Sequence, residues 1–317
     1  MKENTMNRRR FLQASALTAG VLATNPLSSF ASERVELASN DASKGNRSNF
    51  KGVQVGAITY SFRAQGKSAG DMLLYSLGAG LGSVELMGDA ANIFVGSPAE
   101  GEDVATWRRN ALVKYKQLAA IYHAAGIDIH IIKQSPNAKW SDDLIDFNFE
   151  ICKAVGAMGL TTELNLDTAK RVGPFADKHG KYLIFHNHGQ PAEANFPGFD
   201  AFLAPAKNIM LNFDAGHYFG FTGKNPCDVI KEYHKRIASI HLKDKTSPTN
   251  PTAANKNMPW GQGETPLPEL LQLISSNSSK ADWPTHCDIE LEYDIPAGST
   301  PLDEVAKCVR FCKDVLA

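Results

Sequence analysis

The stretch IMLNFDAGHYFG, residues 209–220, alternates Ile209, Leu211 and Phe213 with Met210, Asn212 and Asp214, then breaks into Ala-Gly-His. Period-two alternation of this kind marks a β-strand. It places Asn212 and Asp214 on one face, with Asp214 at the strand's end. A strand that only buries itself has no use for an aspartate followed three residues later by His217. The polar residues therefore read as chemistry at a strand end, and Gly216 is expected to let the backbone turn sharply and carry His217 over a pocket.

Outward from this stretch the same unit repeats. Strand-like segments fall at 53–59, 82–87, 127–132, 160–165, 182–188, 209–214, 237–242 and 287–293, each followed by a segment that can be helical. EDVATWRRNALVKYKQLAAIYHAAG carries apolar residues at helical spacing and closes on Gly126, and SDDLIDFNFEICKAVGAMG has Ser141 as its N-cap. GFDAFLAP makes a poor fifth helix. Eight βα units in one run predict an α/β fold, a single-domain (β/α)8 TIM barrel over 52–317 rather than an open doubly wound sheet. The Pro/Asn/Gly-rich stretch after the seventh strand, 244–269, is long enough to be expected as a functional or mobile loop.

The N-terminus is of another kind. MNRRRFLQASALTAGVLA carries Arg8, Arg9 and Arg10, then Phe11 and Leu12, then a short run of small apolar residues, then SSFAS, the order of a secretory signal. Asn7 to Gln13 resembles the core of a twin-arginine export signal. The expectation is a signal peptide over 1–31, a polar linker over 32–51, and an exported, periplasmic protein with no stable membrane span, the apolar run being short. Among 317 residues, 43% hydrophobic, the formal net charge is −1. That balance gives no electrostatic reason to expect nucleic acid, and a small polar substrate is the easier expectation. Five cysteines without a Cys-x-x-Cys pair indicate neither a disulfide framework nor a thiolate zinc site, and Cys308 and Cys312 read as core-facing. Nothing in the sequence sets an oligomeric state.

Polar residues gather where the predicted strands end: Glu85, Glu163, His186, His188, Asp214, His217, His241, Lys243, Glu290 and Glu292. In a (β/α)8 barrel those ends lie on one face, so residues distant in sequence converge. Carboxylates and neutral imidazoles offered together, without thiolates, make a site for one divalent metal ion, with Mn²⁺, Mg²⁺, Co²⁺ and Zn²⁺ all open. Several unpaired charges at one barrel end would each cost several kcal/mol without a compensating ion or partner (~3–5 for a broken pair).

FHNHG (185–189), NFDAGH (212–217), SIHLKD (239–244), WGQGE (260–264) and IELEYD (289–294), in that order and spacing, resemble the xylose-isomerase-like barrel family of sugar-phosphate isomerases and epimerases. The resemblance implies a metal held by a glutamate, an aspartate, a histidine and a second glutamate from successive strand ends. Carried over, these are Asp214, His241 and Glu292, with Glu290 as the other choice for the last acid. The first acid departs from the pattern: the fifth strand offers His186 and His188, so either a histidine substitutes or Glu163 reaches in from the fourth strand. The catalytic set implied is His186, His188, His217, Lys243 and Glu290, with His188 or Glu163 as base and His217 or Lys243 orienting hydroxyls or supplying a proton. The activity implied is isomerisation or epimerisation of a keto-sugar through proton abstraction beside a polarised carbonyl. Loss of a β-substituent instead makes a lyase or dehydratase on an oxidised sugar or inositol, and a sugar-binding barrel without turnover is the non-catalytic alternative.

Overall fold

A computed structural model describes residues 47–317; the expected signal segment and residues 32–46 of the expected linker lie outside the described residues. Eight parallel strands form the barrel: β1 (Val53–Ile58), β2 (Ser83–Met87), β3 (Asp128–Lys133), β4 (Gly159–Glu163), β5 (Tyr182–His186), β6 (Ile209–Asp214), β7 (Ile237–Leu242) and β8 (His286–Ile289). Each pairs with the next and β8 pairs back to β1, closing the sheet. These are the eight segments expected from the sequence, with ends moved by at most four residues. Asn49–Phe50 adds an antiparallel pairing to β1.

The principal helices are α1 (Ala69–Gly78), α2 (Val104–Ala124), α3 (Asp142–Val155), α4 (Leu166–His179), α5 (Phe199–Leu203), α6 (Pro226–Tyr233), α7 (Leu267–Asn277) and α8 (Pro301–Val315). Their ends are written in the sequence. Ser68 and Asp71 form a reciprocal capping box on α1, and Ser141 and Asn165 accept backbone N–H bonds at the starts of α3 and α4. Gly126 (φ +75) follows α2, and Gly156 (φ +80) ends α3 in the left-handed conformation. α5 is only five residues long because Gly198 precedes it at φ +85 and Pro205 follows it.

The two faces of each strand go to different places. Leu183, Phe185, Ile209, Leu211 and Phe213 belong to the large shell packed against the helices, where each fully buried side chain contributes about 1.5–3 kcal/mol. On the other face, Ile131, Ile184 and Ala238 pack with Met158, Tyr182 and Met210 as a separate cluster. On β5 and β6 this second face runs Tyr182, Ile184, His186 and Met210, Asn212, Asp214, so it passes from apolar to polar toward the strands' C-terminal ends. Buried with it are His130, whose Nε2 lies 2.9 Å from Asp288 Oδ2, and Ser83, 2.8 Å from His130 Nδ1. Gly56 makes room for that carboxylate, since a Cβ there would lie 2.3 Å from Asp288 Oδ1.

All five cysteines are free and buried, as their spacing implies. The stretch after β7 is pinned rather than loose. Asp244 accepts from the backbone N–H groups of Gly261 (2.8 Å), Gly263 (2.9 Å) and Thr265 (3.2 Å), and residues 244–245 pair with 257–258. Among the described residues no helix is long and apolar enough to cross a membrane.

Candidate metal centre

Four strand ends deliver one buried cluster. His186 closes β5, Asp214 closes β6, His241 stands one residue before the end of β7, and Glu290 follows β8 directly. Their donor atoms lie within 4.8 Å of one another. His186 Nε2 is 3.2 Å from Asp214 Oδ2 and 3.4 Å from Glu290 Oε2. His241 Nδ1 is 2.7 Å from Glu290 Oε2 and 3.9 Å from Asp214 Oδ2. Asp214 also caps the helix that follows it, Ala215–Thr222, its Oδ1 accepting from His217 N at 2.6 Å. The aspartate that ends the strand thus starts the helix, which fixes its rotamer.

Two groups of side chains border the cluster. On one side Lys243 Nζ lies 3.0 Å from Asp214 Oδ2, 3.1 Å from Glu290 Oε2 and 2.7 Å from Glu292 Oε2, and 2.8 Å from His217 Nε2. On the other, Glu163 joins Lys133 (2.7 Å) to His186 Nδ1 (3.3 Å) and His188 Nδ1 (3.1 Å). Beneath, Glu85 is fully buried and accepts from His241 Nε2, Asn212 Nδ2 and Thr161 Oγ1.

Of the expected ligand set Glu163, Asp214, His241 and Glu292, the structure places Asp214 and His241 in one group of potential metal donors with His186 and Glu290, and Glu163 in a second group with His186 and His188, while Glu292 is in neither. The reasons are geometric. Glu163 Oε2 meets the far nitrogen of His186, so the histidine stands between it and the centre. β8 stops at Ile289, so Glu290 enters the cluster while Glu292, three residues past the strand, pairs with Lys243 instead. Gly216 makes no left-handed turn, being absent from the positive-φ glycines; it provides space, for a Cβ would lie 2.1 Å from Lys243 Cγ. His188, His217 and Lys243, expected as catalytic, do border the cluster. Lys133 was not singled out, although it directly follows the apolar run 127–132 and ends β3.

Charge explains the titration of these groups. Among the described residues, Lys133 pairs with Glu163, and Lys243 with Asp214, Glu290 and Glu292, while Glu85 meets His241. Burial works against a charge on His241, but Glu290 and Glu85 outweigh it and push its pKa up to about 9. Burial also opposes charge on His186, and the hydrogen bonds it donates to Asp214, Glu163 and Glu290 hold it well above the usual range. Burial would raise Asp214 and Glu290, yet Lys243 beside both, with His186 at Asp214 and His241 at Glu290, holds them below the carboxylate range. His217 goes the other way: burial depresses it to about 3, Lys243 assisting and Asp214 opposing. His217 is therefore neutral, and because an ammonium only donates, its Nε2 accepts from Lys243 and its Nδ1 carries the proton. That Nδ1 is buried with no partner among the described residues, a donor left for a ligand.

His241 supplies a pH test. Its folded pKa stands above the unfolded value of ~6.5, so the stability it contributes is complete below that value and is lost as pH rises through about 9. Chelator-treated protein is expected to show a falling urea midpoint between about pH 6.5 and 9. A midpoint that stays level or rises across that window would contradict a charged His241.

The donor set fits a divalent ion. Tetrahedral bonds of about 2.0–2.1 Å put donors roughly 3.3 Å apart, and the four imidazole–carboxylate separations here, 2.7 to 3.9 Å, bracket that value, with all four donors within 4.8 Å of one another. Positions where carboxylates force protons onto two imidazoles are positions a metal ion can take in their place. Two imidazoles with two carboxylates suit Zn²⁺, Mn²⁺ or Co²⁺.

Residues 161–313 match the family model of the xylose isomerase-like TIM barrels, in agreement with the closed barrel described above. In sequence the chain is 25% identical over 163 residues to inosose dehydratase 1 of Bacillus cereus (strain ZK / E33L), covering 47% of this chain and 52% of that one. It is 23% identical over 158 residues to an inosose dehydratase of Clostridium botulinum (strain Alaska E43 / Type E3), covering 45% and 51%. The chain thus spans about half the length of the curated relatives it matches. Among solved structures, the fold is shared with the probable 3-DHS dehydratase AsbF of Bacillus anthracis (TM-score 0.57, 15% identity, 81% of this chain and 97% of that one). It is also shared with the IOLI protein, solved with a bound zinc atom (TM-score 0.59, 13% identity, 83% and 98%). A sugar phosphate isomerase/epimerase of Parabacteroides distasonis ATCC 8503 has the fold as well (TM-score 0.54, 17% identity, 82% and 93%).

Proposed function

We propose that the protein is a metal-assisted lyase that removes water, or another β-substituent, from a keto-polyol such as an inosose or a 3-keto-sugar, with His186, Asp214, His241 and Glu290 holding the ion. The observation that carries this reading is the convergence of those four donors within 4.8 Å, bordered by an accessible histidine. The names of the sequence relatives favour dehydration over the isomerisation first expected. A divalent ion at the centre would polarise a carbonyl and acidify the neighbouring C–H.

The remaining groups divide the work. His188 is 44% exposed in its side chain and lies 3.1 Å from Glu163 Oε2, which supports positive charge on the ring as it takes the proton. The electron pair of the broken C–H bond forms C=C while the β C–O bond breaks. The imidazolium then returns its proton to the departing hydroxyl, so that water leaves and His188 is neutral again. His217 Nδ1–H donates to a substrate hydroxyl, and the Lys243–Glu292 pair (2.7 Å) offers a donor and an acceptor to its neighbours.

The test is incubation of the metal-loaded full chain with 2-keto-myo-inositol in D2O, followed by mass spectrometry and ultraviolet absorbance. A product lighter by one water, with a new conjugated chromophore, is expected; a 3-keto-glycoside is expected to release its aglycone. A product that keeps every oxygen and differs only by a solvent deuterium at carbon would replace the lyase with an isomerase. Binding without turnover of either compound would point to a sugar-binding barrel.

A further inference from the structure

We infer that Glu85 and Glu163 are positioning residues that lock the two histidines of the centre in opposite tautomers, His241 binding metal through Nδ1 and His186 through Nε2. The inference rests on the metal reading above and says which atoms of this chain make that reading work.

Each imidazole in the cluster is held between two carboxylates, one inside the group of four donors and one outside it. His241 turns Nδ1 to Glu290 (2.7 Å) and Nε2 to Glu85 Oε2 (2.7 Å). His186 turns Nε2 to Asp214 (3.2 Å) and Nδ1 to Glu163 Oε2 (3.3 Å). A neutral imidazole has one N–H and one lone pair, and an ionised carboxylate only accepts. The nitrogen facing the outer carboxylate must therefore carry the hydrogen, which leaves the lone pair of the other nitrogen to the ion. Because the outer carboxylate meets Nε2 in one ring and Nδ1 in the other, the two tautomers are opposite.

Both outer carboxylates are themselves held as acceptors. Glu85 is fully buried and receives Thr161 Oγ1 on Oε1 (2.5 Å) and Asn212 Nδ2 on Oε2 (2.7 Å), the oxygen that also faces His241. Asn212 Nδ2 also lies 2.9 Å from His241 Nε2; an amide nitrogen only donates, so with the hydrogen on Nε2 these two are not bonded to each other and share Glu85 Oε2 as their acceptor, each at 2.7 Å. Glu163 receives Lys133 Nζ on Oε1 (2.7 Å), and its Oε2 faces both His186 Nδ1 (3.3 Å) and His188 Nδ1 (3.1 Å). Partners of this kind, at one remove from a metal, ordinarily change its affinity ten- to a hundredfold, roughly.

The experiment is calorimetric titration of the metal-free full chain with Zn²⁺, for the wild type, Glu163→Gln and Glu85→Gln, with ¹⁵N-histidine NMR of the zinc-loaded wild type. Glu163 is 43% exposed in its side chain, so its variant is expected to fold even if the buried Glu85 variant does not. Expected are a loss of about tenfold or more in zinc affinity for Glu163→Gln, with the wild-type unfolding temperature retained. NMR is expected to show one ligand histidine protonated at Nδ1 and the other at Nε2. Wild-type affinity in Glu163→Gln, or two ligand histidines of the same tautomer, would overturn the inference and leave the metal reading standing. A wild-type protein that takes up no zinc would overturn both.

Discussion

Asp214→Asn is expected to bring metal content to background and to lower turnover by about a thousandfold or more, the size set by several kcal/mol of lost carbonyl polarisation. The substitution is nearly isosteric, and its consequences separate cleanly. The Oδ1 of Asp214 caps the following helix by accepting from His217 N, a bond that an asparagine oxygen reproduces. Its Oδ2, 3.2 Å from His186 Nε2 and 3.0 Å from Lys243 Nζ, is where charge is required. The variant should therefore keep the fold, read by circular dichroism, and lose the metal, read by elemental analysis. His241→Ala should lose both metal and turnover as well. Retention of full activity by either variant would remove the ion from the chemistry.

Lys243→Met is expected to cost the metal-free protein about 3–5 kcal/mol, because it leaves buried carboxylates without their cation. Asp214 and Glu290 both lie within 3.1 Å of Nζ and are themselves buried, and Glu292 is 2.7 Å away. Methionine matches the stem that packs against Gly216 but supplies no charge. Added Zn²⁺ should restore part of the loss by neutralising two of those carboxylates and by binding only the folded state. Urea denaturation with and without zinc measures both. A variant as stable as wild type without metal would mean that the carboxylates take up protons at little cost, and that the lysine is not their counter-ion.

The barrel was legible because eight short apolar segments recur with helix-compatible stretches between them, several carrying a polar residue at or near the strand's end, so the eight segments stood out from one sequence. Asp214 and His241 were legible for the same reason. Glu290 and Glu292 could not be separated by alternation alone, because both occupy the same face until the strand stops, and the stop at Ile289 is set by pairing with β1 and β7. His186 and Glu163 were exchanged because register is a property of two strands at once. Glu163 pairs beside His186, and only the side-chain directions show that the histidine is inside and the acid behind it. Glu85 gave no hint of its depth: read from the sequence it is a strand-end acid free to meet a helix cation, whereas in the lumen it meets His241, Asn212 and Thr161. Gly216 was assigned the commonest property of glycine, backbone freedom, when the absent side chain is what the site uses.

The central claim is that His186, Asp214, His241 and Glu290 bind one divalent ion. X-ray absorption at the zinc edge of the zinc-loaded full chain, with the metal-to-protein ratio measured on the same sample, tests it most directly. One zinc per chain with two imidazole ligands and oxygen ligands completing the shell, at about 2.0–2.2 Å, is the result predicted. A substoichiometric metal, or a shell without imidazole, would contradict it.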